Sequence, residues 1–152
     1  LVSGGQSVNT IAAEASCAID VRYQQTADRD DIMAKVRAIC EKVSVEGTSS
    51  SFSIRGEFQP LNPSAQSDEL FALYQESAAQ DDVIIEGEHS GGCADSGFIA
   101  AVGTPVICGV GPVGGNYHRP DEWMQIDSLA QRARFIGNTI LKLAHQPTTS
   151  GL

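Results

Sequence analysis

Two glycine-rich segments of the 152-residue chain carry side chains that could do chemistry. The first reads EHSGGCADSGF over residues 88–98, and the second reads GVGPVGGNYHRPDEW over residues 109–123. Glycines let a backbone approach a ligand closely and expose amide donors, although glycines in loops most often only form turns. The second segment places one histidine, His118, shortly before an acidic pair, Asp121 and Glu122. These two segments are therefore the first candidates for a functional site.

Three interpretations of His118 are open from the residue types alone. It is a solvent-exposed loop histidine, a general base, or a metal ligand with Asp121 or Glu122 as the carboxylate that orients its imidazole. No serine or cysteine nucleophile motif accompanies it, which weakens the second interpretation. His89 and Asp95, in the first segment, are further candidate ligands, but so few histidines do not make a convincing closed metal site.

Arg22 is the candidate binding residue in the N-terminal part of the chain. It follows Asp20 by two residues on the polar face of a predicted strand. A guanidinium fork is well suited to hold a carboxylate ligand. An exposed pair with Asp20, in contrast, contributes little to stability. Spacing alone favours the exposed pair over the ligand site.

The elements that must position these residues alternate between strands and helices. Apolar residues at every odd position over 11–23, with mostly polar residues between them, predict a half-buried strand. Apolar residues at helical spacing predict a helix after it, capped by Thr26. A second alternating run over 52–58 predicts another strand. The chain up to residue 60 therefore has the pattern strand, helix, strand.

Two prolines in QPLNPSAQSDELF mark the best candidate for a domain boundary, and Ser67 is predicted to cap the helix that follows. Short strands are predicted at 83–85 and 105–108, with a helix near 95–102 between them. Asp127 is predicted to cap a long final helix. The apolar residues on one face of that helix are Leu129, Ala133, Ile136, Ile140 and Leu143. We therefore expect an α/β fold with a parallel component.

Composition and charge argue against several classes of function. The chain carries 19 acidic and 10 basic residues, a net charge of −9, which repels phosphate backbones. No apolar run is long enough to span a membrane, and none of the four cysteines belongs to a C-x-x-C pair. We expect neither nucleic-acid binding nor a membrane partner. The compartment stays open, although free thiols fit a reducing one such as the cytoplasm.

Taken together, these stretches resemble the zinc-dependent amidohydrolase and peptidase family that includes carboxypeptidase G, acetylornithine deacetylase, succinyl-diaminopimelate desuccinylase and aminoacylase. The segment GGQSVNTIAAEASCAIDVRY is similar to the family's Asn-x-Ile-Pro stretch, which precedes a strand ending in Asp-x-Arg. Residues 90–129 are similar to its Gly-Gly-Gly-Ser-Asp segment, its Gly-x-Pro and its glycine-rich loop ending in His-x-x-x-Glu. The motifs occur in the family's order over essentially the whole chain.

The resemblance implies roles for individual residues. His118 would be the last metal ligand of a two-zinc site, and Glu122 the acidic residue that follows it. Asn9 and Arg22 would lie in a lid domain and bind the carboxylate of the substrate. Gly91 and Gly92 would border the substrate.

The resemblance also implies two partial domains and an activity. Residues 1–60 would be part of an α+β lid or dimerisation domain, and residues 61–152 the C-terminal part of an α/β catalytic domain. The expected activity is metal-dependent hydrolysis of an amide or peptide bond next to a carboxylate-bearing amino acid, of carboxypeptidase or N-acyl-amino-acid deacylase type. Two zinc ions per full-length subunit are expected, with cobalt or manganese as substitutes.

The expected partners are a small N-acyl amino acid or peptide as substrate and a second subunit in a homodimer. Two alternatives stay open. One is an amidase of the same family that acts on ureido or carbamoyl substrates. The other is a non-catalytic dimerisation or binding module, because an exposed sheet edge invites pairing with another chain.

Several positions depart from the family pattern. Ala12 replaces the usual proline, and Cys93 and Ala94 replace the usual Gly-Ser before the aspartate. Glu57 stands where carboxypeptidase G-like members have a second arginine, two residues after the position of Arg55, which argues against glutamate-type specificity. The family's His-x-Asp ligand, bridging aspartate and Glu-Glu pair are not in the sequence. A lone histidine does not hold a catalytic zinc, so we expect no catalytic residue here and no activity of this polypeptide by itself.

Overall fold

The computed structural model describes residues 1–145 and combines four helices with two small sheets. The helices are α1 (Asp28–Glu41), α2 (Ala65–Ala79), α3 (Ser96–Ala101) and α4 (Ile126–His145). The strands are β1 (Val2–Gly4), β2 (Ala15–Cys17), β3 (Gly114–Gly115) and β4 (Trp123–Met124). Strands β1 and β2 form one antiparallel pair, and β3 and β4 form the other. Helix and sheet are therefore mixed, as expected, but the expected parallel component is wrong for this part of the chain.

The core lies where α2 packs against α4. Its buried apolar residues are Tyr74, Ala78 and Phe135, and the two rings meet edge to face with centroids 6.1 Å apart. The buried hydroxyl of Thr139 lies 3.1 Å from that of Ser77. Both hydroxyls also lie 2.8 Å from a carbonyl oxygen one turn earlier in their own helices. These two buried hydroxyls are thus hydrogen-bonded rather than left unpaired.

Most of the predicted strand residues are not in strands. Of the predicted run 11–23 only Ala15–Cys17 is a strand, and 52–58, 83–85 and 105–108 contain none. A strand needs a neighbouring backbone to complete its hydrogen bonds, and of these runs only the first has such a neighbour among residues 1–145, in β1. Apolar side chains of the last two runs nevertheless pack against the core, as strands there would.

All four helices lie where the sequence predicts them, but the predicted caps are wrong. The N-cap of α1 is Ala27 rather than Thr26. The N-cap of α2 is Ser64, whose extended backbone lets its hydroxyl accept from the Ser67 N–H at 3.1 Å. Asp127 lies inside the first turn of α4, where a carboxylate still favours the positive end of the helix dipole.

The face that α4 buries is not the one that its apolar spacing predicts. The buried residues are Ser128, Phe135 and Thr139, on the face that meets α2. All five residues of the predicted apolar face are exposed, with Leu129 at 49% and Ile140 at 58%. The sequence therefore predicts the helix correctly but not the face that it buries. Helix α2 covers the face next to the apolar one.

The chain exposes far more surface than a compact protein of its mass. Its accessible surface is 12374 Å², against about 7,400 Å² expected for a compact monomer of 16.1 kDa. Large apolar side chains contribute to the excess in both halves of the chain. This apolar surface does not form a membrane span, since no helix within residues 1–145 is long and apolar enough to cross a bilayer.

Candidate functional site

A β-hairpin presents His118. Strands β3 and β4 pair Gly114 with Met124 and Gly115 with Trp123, and residues 116–122 form the loop between them. A Cβ on Gly114 would lie 2.7 Å from the Trp123 carbonyl oxygen, and one on Gly115 would lie 2.9 Å from the indole nitrogen. The two glycines therefore permit the close approach of β4 that closes the loop.

The backbone of this loop is left-handed at two residues that are not glycine. They are Asn116, with φ 59°, and His118, with φ 64°. This conformation costs a residue with a Cβ about 1–2 kcal/mol, although asparagine and histidine adopt it more often than most. Interactions with neighbouring residues must offset that cost at His118.

The acidic pair supplies such interactions, Glu122 to the main chain and Asp121 to neighbouring side chains. Glu122 Oε2 accepts a hydrogen bond from the backbone N–H of His118 at 3.3 Å. The side-chain amide of Asn116 donates to the carboxylate of Asp121 at 3.0 Å and to its carbonyl oxygen at 3.3 Å. Arg119 donates to the same carboxylate at 2.9 Å. Glu122 thus contacts the backbone of His118 rather than its imidazole, and no residue of 1–145 hydrogen-bonds to that ring.

A shallow groove of about 420 Å³ lies beside the hairpin loop. Tyr117, Trp123 and Met124 contribute its larger apolar side chains, and all three are exposed. Glu122 also lines the groove, so the residue whose carboxylate contacts the His118 backbone borders this space.

Arg22 joins the segment after β2 to the first glycine-rich loop. Its Nε and Nη2 donate to the carboxylate of Asp20 at 3.2 and 2.8 Å, and its Nη1 donates to the carbonyl oxygen of Gly91 at 2.6 Å. Hydrogen bonding and then charge attraction between the two side chains lower the pKa of Asp20 and raise the pKa of Arg22. Nearby, the amide nitrogen of Gln24 lies 3.3 Å from the ring of His89. Two separate polar contacts therefore join these segments.

The other predicted binding residues make only local contacts. The N–H of Gly92 donates to the hydroxyl of Ser90 at 3.1 Å. The side chain of Asn9 accepts from the hydroxyl of Ser7, also at 3.1 Å. In the part of the chain that the structure describes, no hydrogen bond joins Asn9 to Arg22. The predicted site residues thus form two pairs, Arg22 with Gly91 and His118 with Glu122, while Asn9 and Gly92 stand outside both.

The residues that could bind a metal do not form a complete site. Within residues 1–145 no group of three or more His, Cys, Asp or Glu side chains is arranged to hold a metal ion. His89 and Asp95, the further candidates from the sequence, do not join His118 in such a group. His118 is therefore a single candidate ligand, and these residues do not fit a closed metal centre by themselves.

The sequence patterns do not predict one polar cluster, which forms around Glu57. Glu57 accepts from both Nε and Nη2 of Arg29, the latter at 2.9 Å, and from the hydroxyl of Tyr23 at 3.0 Å. Hydrogen bonding from Arg29 is the main cause that lowers the pKa of Glu57. Burial, followed by the hydrogen bond to Glu57, raises the pKa of Tyr23. The cluster joins α1 to the segment before α2 and holds Tyr23, the residue next to Arg22. The only signal of it in the sequence is Glu57 itself, which stands in place of the family's arginine.

Comparison with known proteins shows which protein family the chain belongs to. A sequence model of the peptidase family M20/M25/M40 matches residues 5–142, most of the chain. The matched model is that of a peptidase family, and peptidases are hydrolases. The chain belongs to the peptidase family M20/M25/M40, whose members generally bind zinc or other divalent metals. None of the curated proteins compared with the chain matches it. The match confirms the family that the motifs resemble. It does not confirm a resemblance to the particular members named with that family.

Proposed function

We propose that this chain is part of a metal-dependent hydrolase that cleaves an amide or peptide bond next to a carboxylate-bearing amino acid. The observation that carries the proposal is the contact between Arg22 and Gly91. It places a fixed guanidinium against a glycine-rich loop, where a small anionic ligand can come close to the backbone. The activity is of the carboxypeptidase or N-acyl-amino-acid deacylase type.

In this proposal Arg22 and Asn9 bind the carboxylate of the substrate, and Gly91 and Gly92 border it. Asp20 already occupies one edge of the guanidinium through Nε and Nη2. The Nη1 that donates to the Gly91 carbonyl is therefore the group that a substrate carboxylate would share or take over. A charged acceptor is stronger than a neutral carbonyl, so the exchange favours the substrate.

His118 supplies one imidazole ligand to a divalent metal in this proposal. Zinc is the expected ion, two per full-length subunit, with cobalt or manganese as alternatives. Because residues 1–145 do not complete a metal site, the other ligands have to come from elsewhere. The isolated chain is accordingly expected to be inactive, and the two domains at 1–60 and 61–152 are proposed as part of the lid and part of the catalytic domain.

The test compares the purified chain with a full-length protein that contains it. Both are assayed on N-acetyl amino acids, dipeptides and carbamoyl amino acids, with added metal and with metal plus chelator. We expect hydrolysis only by the full-length protein and its loss under chelation. Hydrolysis that persists under chelation contradicts metal dependence, and measurable hydrolysis by the pure chain contradicts its inactivity. Preference for the carbamoyl compounds identifies the ureido-type amidase instead.

The role of Arg22 is tested by pairing each substrate with its C-terminal amide in the full-length protein. Arg22→Ala should raise KM for the free carboxylate and leave the amide unchanged, because only the carboxylate meets the guanidinium. Arg37→Ala removes an arginine that lies over the Phe52 ring, away from this site, and serves as the control. An equal effect of Arg22→Ala on both substrates removes Arg22 from carboxylate binding.

We also propose a homodimer formed through the β1–β2 sheet. All six residues of the two strands are exposed, and a two-stranded sheet leaves an unpaired backbone edge on either side. Leu1 and Ala18 exchange both of their backbone hydrogen bonds, at 2.8 and 2.9 Å. The backbone N–H of the preceding residue, Cys17, therefore points to the outer edge, where a second chain could pair with it.

Sedimentation of the chain tests this dimer. Cys17→Pro removes the outward N–H and should shift the chain toward monomer, because proline donates no ladder hydrogen bond. Cys17→Ser removes the same thiol but keeps the N–H, so it should sediment as the unsubstituted chain does. A strict monomer before substitution, or equal sedimentation of both variants, contradicts pairing at this edge.

A further inference from the structure

We propose that Glu122 is a positioning residue, whose carboxylate holds the left-handed backbone from which the imidazole of His118 is presented. The contact that carries the inference is the hydrogen bond from the His118 N–H to Glu122 Oε2. The consequence for a ligand role of the imidazole rests on the function proposed above.

The need for such a residue follows from the backbone at position 118. At φ 64° the histidine occupies a conformation that glycine adopts freely and that a Cβ disfavours. A histidine stays left-handed at this position only if the left-handed backbone allows a stabilising contact that other backbone conformations do not. The charge-assisted hydrogen bond to Glu122 is such a contact, since turning the 117–118 peptide moves the N–H away from the carboxylate.

The two carboxylates of the loop act on different residues. Asp121 binds the side chain of Asn116, the other left-handed residue, and Arg119. Asparagine tolerates this conformation better than most residues, so position 116 depends less on its partner. Histidine has less intrinsic tolerance, and its backbone N–H is bound by Glu122 alone among the side chains of residues 1–145.

The position of Glu122 is itself set by the strand that follows. Trp123 pairs with Gly115 in the β3–β4 ladder, and the N–H of Glu122 donates to the carbonyl of Arg119 at 3.1 Å. The carboxylate therefore reaches the His118 backbone from an anchored main chain. A rigid support of this kind keeps a ligand side chain in one orientation, which is what a metal site requires of its imidazoles.

The test uses NMR of the isotope-labelled chain, with neither metal nor substrate. The readouts are the backbone coupling constants that report φ at residue 118, the side-chain couplings that report the imidazole rotamer, and the exchange rate of the His118 amide. Glu122→Ala should move the φ and rotamer signatures and speed amide exchange by about tenfold, as expected when one charge-assisted hydrogen bond is lost. Glu122→Gln keeps an acceptor oxygen and should restore the φ signature.

Two further variants separate positioning from general support of the loop. Glu88→Ala removes an exposed carboxylate from the other glycine-rich loop and should leave residue 118 unchanged. In a His118→Gly background a left-handed residue 118 carries no Cβ penalty, so adding Glu122→Ala should change φ there less than it does with histidine. The proposal is overturned if Glu122→Ala leaves the His118 signals intact, or if it disturbs φ equally in the glycine background. Since the measurement needs no metal, a failure of the proposed hydrolase function is detected separately, by the chelation assay.

Discussion

Arg22 donates a hydrogen bond to the carbonyl oxygen of Gly91 over 2.6 Å, although 69 positions separate the two residues in the sequence. Each of the three guanidinium nitrogens of Arg22 has an acceptor, because Asp20 occupies the other two. The contact therefore depends on the shape of the arginine fork as well as on its charge.

Arg22→Lys should loosen the first glycine-rich loop while preserving the net charge. A lysine offers one nitrogen on a flexible stem and does not hold Asp20 and Gly91 in the arginine geometry at once. We expect faster amide exchange over residues 88–93, measured by NMR, with the helices unchanged. Arg37→Lys is the control, and equal exchange in both variants would show that the loop does not rely on Arg22.

Glu57 should make stability depend on pH on the acid side. Its pKa is lowered in the folded chain, chiefly by the hydrogen bond from Arg29, so the ionised form stabilises the fold. That contribution is present above the carboxyl's ordinary pKa of 4.5 and is lost as the pH falls through the lowered folded value. In denaturant titrations at neutral pH, Glu57→Gln should be less stable than the unsubstituted chain, and the difference should vanish in acid. Exposed Glu46→Gln should show no such difference at either pH.

Tyr23 should give the opposite dependence on the alkaline side. Burial and the hydrogen bond to Glu57 raise its pKa, so the protonated phenol is the form that stabilises the fold. The contribution is complete below the ordinary value of 10.0 and is lost as the pH rises through the raised folded value. Phenol absorbance should titrate late in the folded chain, and Tyr23→Phe should remove that late component. If Tyr117→Phe removes it instead, the assignment to Tyr23 is wrong.

Gly97 should not tolerate a side chain. A Cβ at this position in α3 would lie 1.9 Å from the carbonyl oxygen of Gln59, so Gly97→Ala forces the two segments apart. We expect a loss of about 1–3 kcal/mol in the free energy of unfolding, typical of overpacking. Gly137→Ala is the matched control within α4, because nothing lies within 4 Å of its added Cβ. It should gain about 0.5–1 kcal/mol from helix propensity, and a similar gain at Gly97 would contradict the close approach.

The helices were predictable because their signals are local. Ser64 shows the limit of that prediction: two nearby serines could both cap α2, and only the observed backbone shows that Ser64 accepts from Ser67. Ser67 is instead 5% exposed, and its hydroxyl accepts from the N–H of Val106 at 3.2 Å. No local pattern predicts that contact, since it depends on a segment 39 positions away.

The candidate site was predictable in its residues more than in its contacts. The family motifs pointed to Arg22, Gly91 and His118, and the match to residues 5–142 confirms the family while leaving the roles of these residues as proposals. The motifs did not predict that Arg22 binds the carbonyl of Gly91, or that Glu122 binds the backbone of His118. The Glu57 cluster was missed because Arg29 and Tyr23 are brought to it by tertiary packing.

By itself the sequence determined the family, the four helices and the glycine-rich segments, since each depends on residue types at short spacing. Tertiary structure alone decided which face of α4 meets α2, which residues form strands and which side chains contact the loops. The physical reason is that an apolar stripe or an alternating run carries no information about its neighbour. Burial and strand hydrogen bonds exist only when a second surface or backbone is present, and Leu129 and Ile140 remain exposed where residues 1–145 provide none.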